Sequence, residues 1–150
     1  MENFVFFETI SQPKGILFIV PFVILMLALA GLMIGIVFSV KSSSIALKDG
    51  EIIIKALFYG RKIPVENVLI DESRTINLRE EEQYDVSIRM NGISMPGIHS
   101  GWMRLKNGQK ALVFLTDKEK VLLMQTKDYP VLFSMENTEI FIDKLRQLKK

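Results

Sequence analysis

The sequence predicts a mainly β domain that ends in one α-helix and is preceded by a single N-terminal transmembrane helix. Three observations lead to this prediction. Residues 16–40 form an apolar run without a charged residue. From residue 45 onward, short β-prone runs alternate with turn signals, of which Asp49-Gly50 and Asn107-Gly108 are the strongest. Near the C-terminus, apolar residues recur at the spacing of a helix.

The apolar run is long enough to cross a membrane once. As a helix it spans about 37 Å, against about 30 Å for the hydrocarbon core of a bilayer. A cleaved signal peptide is the main alternative, but its apolar part is usually about 7 to 15 residues and follows a basic segment. The segment before this run carries Glu2 and Glu8 and only one cation, Lys14. An uncleaved anchor is therefore preferred, and cleavage near residues 39–44 stays open.

These features divide the chain into four parts. The predicted parts are a tail over residues 1–14, a transmembrane helix over 15–40, a linker over 41–44 and a β domain over 45–150. Cations are rare before the anchor and common after it, at Lys41, Lys48 and Lys55. The positive-inside rule then predicts a cytoplasmic C-terminal domain.

Small residues within the anchor suggest a helix–helix contact. Gly31 and Gly35 form a G-x-x-x-G motif, and Ser39 extends the same face by another turn. Such a face lets two membrane helices approach closely, which makes a homodimer through this helix possible. The alternative is that glycine is simply common in membrane helices.

The first half of the β domain is predicted as short strands joined by turns. A hairpin forms across residues 48–50, an edge segment covers 63–65, and 68–70 form the next strand. Residues 79–83 (REEEQ) are expected to be a solvated loop, and 84–90 alternate between apolar and polar side chains as in a half-buried strand.

The second half adds further strands and a closing helix, for about seven or eight antiparallel strands in all. The glycine-rich residues 91–101 are predicted as a wide connection, and a strand starts at Trp102. Residues 111–116 are expected to pair with 121–126 across 117–120, and 131–133 to complete the sheet. Asn137 is the expected N-cap of an amphipathic helix over 138–148.

Composition excludes several kinds of chemistry. The chain has no cysteine, so disulfides and thiolate sites are absent, and its single histidine, His99, is expected in a surface loop. The sequence has no phosphate-binding glycine motif, and no metal site or cofactor is expected. After residue 40 there are 18 basic and 15 acidic residues, a charge of +3 that is too small to indicate nucleic-acid binding. An enzyme is not expected.

The order of turn and core residues resembles the small membrane-associated bacterial Pleckstrin-homology (PH) domains. The similar segments are DGEI at 49–52, FYGR at 58–61 with Ile63-Pro64, NGI at 91–93, MPG at 95–97, Gly101-Trp102, ALVFLT at 111–116 and FIxxL at 141–145. The resemblance covers about residues 45–148. It implies a bent, nearly closed antiparallel β-barrel with a C-terminal helix at one end. Its motifs are turn glycines and core hydrophobics, which indicate a fold and not an activity.

The resemblance implies a non-enzymatic interaction or scaffold module at the membrane surface, and a lipid- or small-ligand-binding barrel is the alternative. The candidate contacts lie near the first hairpins: Lys48, Lys55, Tyr59, Arg61 and Lys62. For Tyr59-Gly60-Arg61, an ordinary turn with one exposed cation is the simpler explanation and is preferred. Trp102 is either an anchor at the membrane interface or part of the barrel core. The expected partners are the bilayer and an unidentified protein.

Overall fold

The first element is the helix α1, Lys14–Lys41, in a computed structural model that describes residues 14–41, 43–56 and 58–149. Within it, Leu17–Phe38 has a mean hydropathy of 2.9 and no buried side chain in its most apolar window. The helix is long and apolar enough either to cross a membrane or to serve as a signal sequence. The chain forms two compact units, Met1–Val37 and Phe38–Lys150, and the second contains the β domain. Residues 1–13 of the predicted tail lie outside the described residues, and its last residue, Lys14, begins α1.

A three-stranded antiparallel sheet opens the β domain, in the order β1 (Ser44–Lys48), β2 (Glu51–Lys55) and β3 (Arg61–Pro64). The predicted hairpin over 48–50 is confirmed, because Asp49 and Gly50 take the positive φ values of 52° and 75° that its turn requires. Ile52, Ile54 and Ile63 are buried, so one face of the sheet packs on the core. The alternate residues on the other face include charged side chains as well as the apolar Ala46 and Ile53.

The predicted strand over 68–70 is wrong. Two 3₁₀ turns, Val65–Asn67 and Ile70–Glu72, occupy this part of the chain, and Val68 makes a single bridge to Thr126. Of the apolar residues that suggested a strand, Val68 and Ile70 are buried and Leu69 is half-buried, and they reach the core from successive turns. Apolar runs this short report burial and not backbone conformation.

Six strands form the second sheet, in the order β4-β8-β9-β7-β6-β5. Its strands are β4 (Arg74–Ile76), β5 (Val86–Met95), β6 (Ile98–Leu105), β7 (Lys110–Leu115), β8 (Val121–Met124) and β9 (Val131–Ser134). The expectation of a purely antiparallel fold needs one correction, since β7 and β9 run parallel.

The glycine-rich residues 91–101 are not the wide connection that the sequence suggested. They belong to a long hairpin in which β5 and β6 are joined by a tight turn at Pro96-Gly97. Gly92 and Gly101 lie opposite each other in this ladder. The glycines therefore serve close backbone packing within strands.

The predicted hairpin between 111–116 and 121–126 is also wrong. β9 lies between β7 and β8 and pairs with both of them. Ser134 at the end of β9 fixes this arrangement, because its Oγ accepts hydrogen bonds from the backbone N–H groups of Thr116 and Asp117, each at 3.1 Å. The connection that resembled a hairpin turn is thus tied to a third strand.

Hydrophobic side chains cover both faces of the six-stranded sheet. One cluster joins it to the first sheet and to the C-terminal helix, and the other contains Leu78, Met103 and Val113. That helix, α2 (Thr138–Leu148), has the predicted bounds and buries Phe141, Ile142 and Leu145. Asn137 precedes it as expected, but its side chain makes no capping bond. Two sheets and a closing helix agree with the expected architecture.

Candidate interaction surface

Two cations and two aromatic rings meet where β3, β6 and β7 come together. Arg61 Cζ lies 5.2 Å from the centroid of the Trp102 ring, and Lys110 Nζ lies 4.5 Å from it. Tyr129 packs against the same indole edge to face, with 4.8 Å between the ring centroids. We call Arg61, Trp102, Lys110 and Tyr129 the Trp102 surface. Both cation distances are within the range of cation–π attraction.

Strand register explains why these residues meet. Trp102 pairs with Leu112, and Arg104 pairs with Lys110, so Trp102 and Lys110 project from the same face of neighbouring strands. Arg61 begins β3 and pairs with the buried Ile54, which directs it toward the core side of the first sheet. Trp102 and Tyr129 are half-buried and pack against the first hydrophobic cluster, whereas Arg61 and Lys110 stay exposed.

The cations of this surface are not neutralised within the part of the chain that the structure describes. Arg61, Lys110 and the neighbouring Arg104 form no ion pair with a described carboxylate, unlike Lys118, which bonds Asp85 at 3.0 Å. Two positive charges on one indole, neither within ion-pair distance of a described carboxylate, favour an anionic partner.

Tyr59 borders the Trp102 surface and depends on a glycine. Its hydroxyl donates a 2.9 Å hydrogen bond to Asn91 Oδ1, and Asn91 is the cross-strand partner of Trp102. A Cβ at Gly101, whose φ is +118°, would lie 2.9 Å from Tyr59 Cε2 and 2.6 Å from the Asn91 carbonyl oxygen. The close approach of the tyrosine ring thus requires glycine at position 101.

A family model, described as bacterial PH domain, matches residues 43–149, which is well over half of the chain. The chain belongs to the bacterial PH domain family. No curated protein and no solved structure matches it significantly. The expected resemblance is therefore confirmed, and the Trp102 surface is a feature of this bacterial PH domain.

The bacterial PH domain brings together only part of the predicted contact set. Tyr59 and Arg61 lie beside Trp102, as described. Lys48, Lys55 and Lys62 lie instead at alternate, outward positions of the first sheet. Lys48 and Lys62 are loosely paired with Asp49 and Glu51, at 3.9 and 3.8 Å.

Three residues of this region were not predicted as contacts: Asn91, Lys110 and Tyr129. They lie far apart in the chain, Lys110 and Tyr129 stand in no recognisable motif, and Asn91 was named only within the NGI segment at 91–93. Their convergence depends on the register between β5, β6 and β7 and on the position of β9. Trp102 itself was expected in the core or at a membrane, and the structure places it at the margin of the core.

The predicted contact face on α1 stays a prediction. A Cβ added at Gly31 or Gly35 would meet no atom within 4 Å, so both positions are open on the helix surface. The side chain of Ser39 lies outside the described residues.

His99 forms a second polar cluster, on β6 and not in the surface loop that was expected. Its Nδ1 is 2.9 Å from Oγ of Ser94, its cross-strand partner. Burial lowers the pKa of His99, the positive charge of Lys118 lowers it further, and Asp85 opposes the shift. Asp85 bonds Lys118 Nζ and is not hydrogen-bonded to the imidazole, so these groups do not form a catalytic triad.

Two clefts of the domain carry mixed charge. His99 lines a cleft of about 260 Å³ with Arg79, Lys118 and Asp117. A larger cleft of about 440 Å³ between β4 and α2 is lined by Arg74 and Arg146 together with Glu139 and Asp143. No group of three potential metal ligands was found among the described residues. Neither cleft has the uncompensated charge of the Trp102 surface.

Proposed function

We propose that this bacterial PH domain is a non-enzymatic interaction module, held at the cytoplasmic face of a membrane by α1, and that it binds an anionic partner through the Trp102 surface. One observation carries the proposal. Arg61 and Lys110 both lie on the indole of Trp102, and neither forms an ion pair with a carboxylate among the described residues. A half-buried tryptophan with cationic neighbours is the type of residue set that dominates binding energy at protein interfaces.

The packing of the domain favours an interaction module over a barrel that encloses a small ligand. Both faces of the six-stranded sheet are filled, and Ile52, Leu112 and Leu122 have no exposed area. An enclosed ligand site needs a concave, mostly apolar cavity. The clefts around His99 and between β4 and α2 are instead open to solvent, and charged side chains form part of both linings.

A second candidate function is direct contact with the bilayer, and the observation that favours it is the exposure of Phe58. This side chain is 65% exposed, and it lies between Lys55 and Arg61 in the sequence. Aromatic side chains flanked by cations bind the interface of anionic membranes. Such contact would use part of the same region, so the experiment must distinguish binding to a protein from binding to lipid.

Site-specific photo-crosslinking in intact membranes tests the proposal. A photoreactive phenylalanine analogue replaces Phe58, beside Tyr59, in the full chain. The matched control replaces Ile140, which has a similar exposure of 57% and lies on α2. We expect a protein adduct from position 58 and none from position 140.

Charge reversal makes the test specific to the Trp102 surface. Arg61→Glu with Lys110→Glu should weaken the adduct about ten-fold, equivalent to about 1.4 kcal/mol of lost electrostatic attraction. Equal adducts from positions 58 and 140, or an adduct that survives the double reversal, would contradict the proposal. Adducts to anionic lipid alone from position 58 would support the second candidate in its place.

A further inference from the structure

Strand register limits how far the Trp102 surface lies from the end of α1. Ile45 of β1 pairs with Ile54 of β2, and Ile54 pairs in turn with Arg61 of β3. These residues lie side by side, so two strand spacings, about 10 Å, separate Ile45 from Arg61. Ile45 is four residues after Lys41, the last residue of α1, and at most about 14 Å of chain joins them. The Cα atom of Arg61 therefore lies within about 25 Å of that of Lys41, for any path of the chain between them.

This distance keeps the Trp102 surface close to the bilayer. The apolar span ends at Phe38, three residues before the end of α1. When α1 crosses a membrane, as proposed above, Lys41 lies at the bilayer–water interface, and Arg61 stays within about 25 Å of that interface. A partner that is itself held in the membrane meets the Trp102 surface at a much higher effective concentration than a soluble protein does. The short tether thus favours a membrane protein as the partner.

Charge determines which part of such a partner fits. Arg61 and Lys110 lie on the indole of Trp102, and Arg104 projects from the same side of β6 as Trp102. In the described part of the chain, none of these three cations forms an ion pair with a carboxylate. The partner must therefore offer carboxylates near the bilayer. About eight extended residues cover 25 Å, so a segment that directly flanks a membrane helix is long enough to reach the cations.

The same cations discriminate against most other membrane proteins. Cytoplasmic segments next to membrane helices carry an excess of lysine and arginine, which Arg61 and Lys110 repel. A second copy of this chain belongs to the repelled group, because its residues 38–48, FSVKSSSIALK, contain two lysines and no carboxylate. An acidic flanking segment departs from the usual charge on this side of a membrane, and it therefore distinguishes a partner from its neighbours.

We propose that the Trp102 surface binds the acidic cytoplasmic segment that directly flanks a membrane helix of another protein. The inference rests on the proposed function, because it names the class of partner for the same surface. The tether to α1 supplies the effective concentration, and Arg61, Arg104 and Lys110 select the carboxylates. Binding of this kind would hold α1 beside the membrane helix of its partner.

Two spacers of equal length test the inference in the full chain. A helical spacer of about 40 residues, built from EAAAK repeats and inserted directly after Lys41, continues α1 and moves the domain about 60 Å further from the membrane. The matched control is a glycine–serine spacer of the same length, which is flexible and lets the domain return to the membrane. Each chain carries the photoreactive phenylalanine at position 58. Equal emission from Trp102, the single tryptophan, verifies that the domain is folded in all of them.

The two spacers should differ in their effect on crosslinking in intact membranes. We expect the helical spacer to lower the adduct with a membrane protein about ten-fold, and the glycine–serine spacer to lower it less than about three-fold. Mass spectrometry of the adduct should place the crosslink in an acidic segment next to a membrane helix of the partner.

The other outcomes separate this inference from the proposed function. Equal adducts in the two spacer chains, or an adduct with a soluble protein, would overturn the inference. If such a soluble adduct is lost after Arg61→Glu with Lys110→Glu, the proposed function stands without a membrane-held partner. No protein adduct from position 58 in the chain without a spacer would remove the inference and the proposed function together.

Discussion

Because Gly101 of β6 has no Cβ, the strand β5 and the ring of Tyr59 can both pack closely against it. The φ of +118° is unfavourable for other residues, and the carbonyl oxygen of Asn91 and the ring of Tyr59 occupy the space of a side chain. We expect Gly101→Ala to lower the free energy of unfolding by about 2 kcal/mol, from backbone strain and steric overlap together. Denaturant unfolding of the full chain in detergent, followed by Trp102 emission, measures this loss.

Gly108→Ala is the matched control for this prediction. Gly108 also has a positive φ, of +86°, but a Cβ there would meet nothing within 4 Å. Its substitution should therefore cost only the backbone strain and destabilise the domain less than Gly101→Ala. Equal losses would show that the packing of Tyr59 on Gly101 contributes little.

The pKa of His99 makes stability depend on pH. Because burial lowers this pKa, the unfolded chain binds a proton more readily than the folded domain does. The resulting stabilisation is fully present above the ordinary histidine pKa of about 6.5 and is lost as the pH falls toward the folded pKa. We expect the free energy of unfolding to decrease between about pH 7 and pH 5.5 and His99→Gln to reduce that decrease.

A different pair limits the pH range of this measurement. The hydrogen bond from Arg74 lowers the pKa of Glu81, so its contribution is lost as the pH falls from the ordinary carboxyl pKa toward the lower folded pKa. Measurements at about pH 5.5 and above therefore isolate the histidine. An unchanged pH dependence in His99→Gln would assign the effect to other groups.

Residues that are close in the sequence were predictable, and residues brought together by register were not. Tyr59 and Arg61 were identified because they share one turn. Lys110 was not, because its place beside Trp102 depends on the pairing of β6 with β7. Local patterns report the chemistry of a side chain and its immediate turn, whereas a shared surface depends on long-range pairing.

Among the elements, α2 and the first hairpin were predictable because their signals are local. Helical spacing fixed the bounds of α2, and Asp49-Gly50 fixed the turn. The order of β7, β8 and β9 was not predictable in this way. A short polar connection looks the same whether the flanking strands pair with each other or with a third strand inserted between them.

The helix α1 leads to a prediction about self-association. If Gly31 and Gly35 form a contact face, Gly31→Ile with Gly35→Ile should abolish a dimer by separating the two backbones. Crosslinking of the full chain in detergent followed by denaturing electrophoresis measures this. A matched control, Leu32→Ile with Ile36→Leu, keeps the small-residue face and should preserve the dimer. Self-association that persists in the glycine double variant would exclude this face as the contact.

For the whole molecule, the remaining question is whether α1 anchors the domain or is removed. An uncleaved membrane span should keep the full-length chain in the membrane pellet after alkaline carbonate extraction, because about 20 apolar residues bind the bilayer almost irreversibly. Immunoblotting with a C-terminal tag measures both length and location. A shortened chain in the supernatant would identify α1 as a signal sequence and contradict the anchor.

The position of β9 has a consequence for the order in which the domain is made. Protein synthesis delivers α1 before the β domain and β9 after the other strands, yet β9 supplies the link between β7 and β8. The six-stranded sheet therefore stays incomplete on the ribosome until β9 emerges. If α1 is an anchor, it can enter the bilayer while the rest of the chain is still unfolded, and the domain then folds at the membrane.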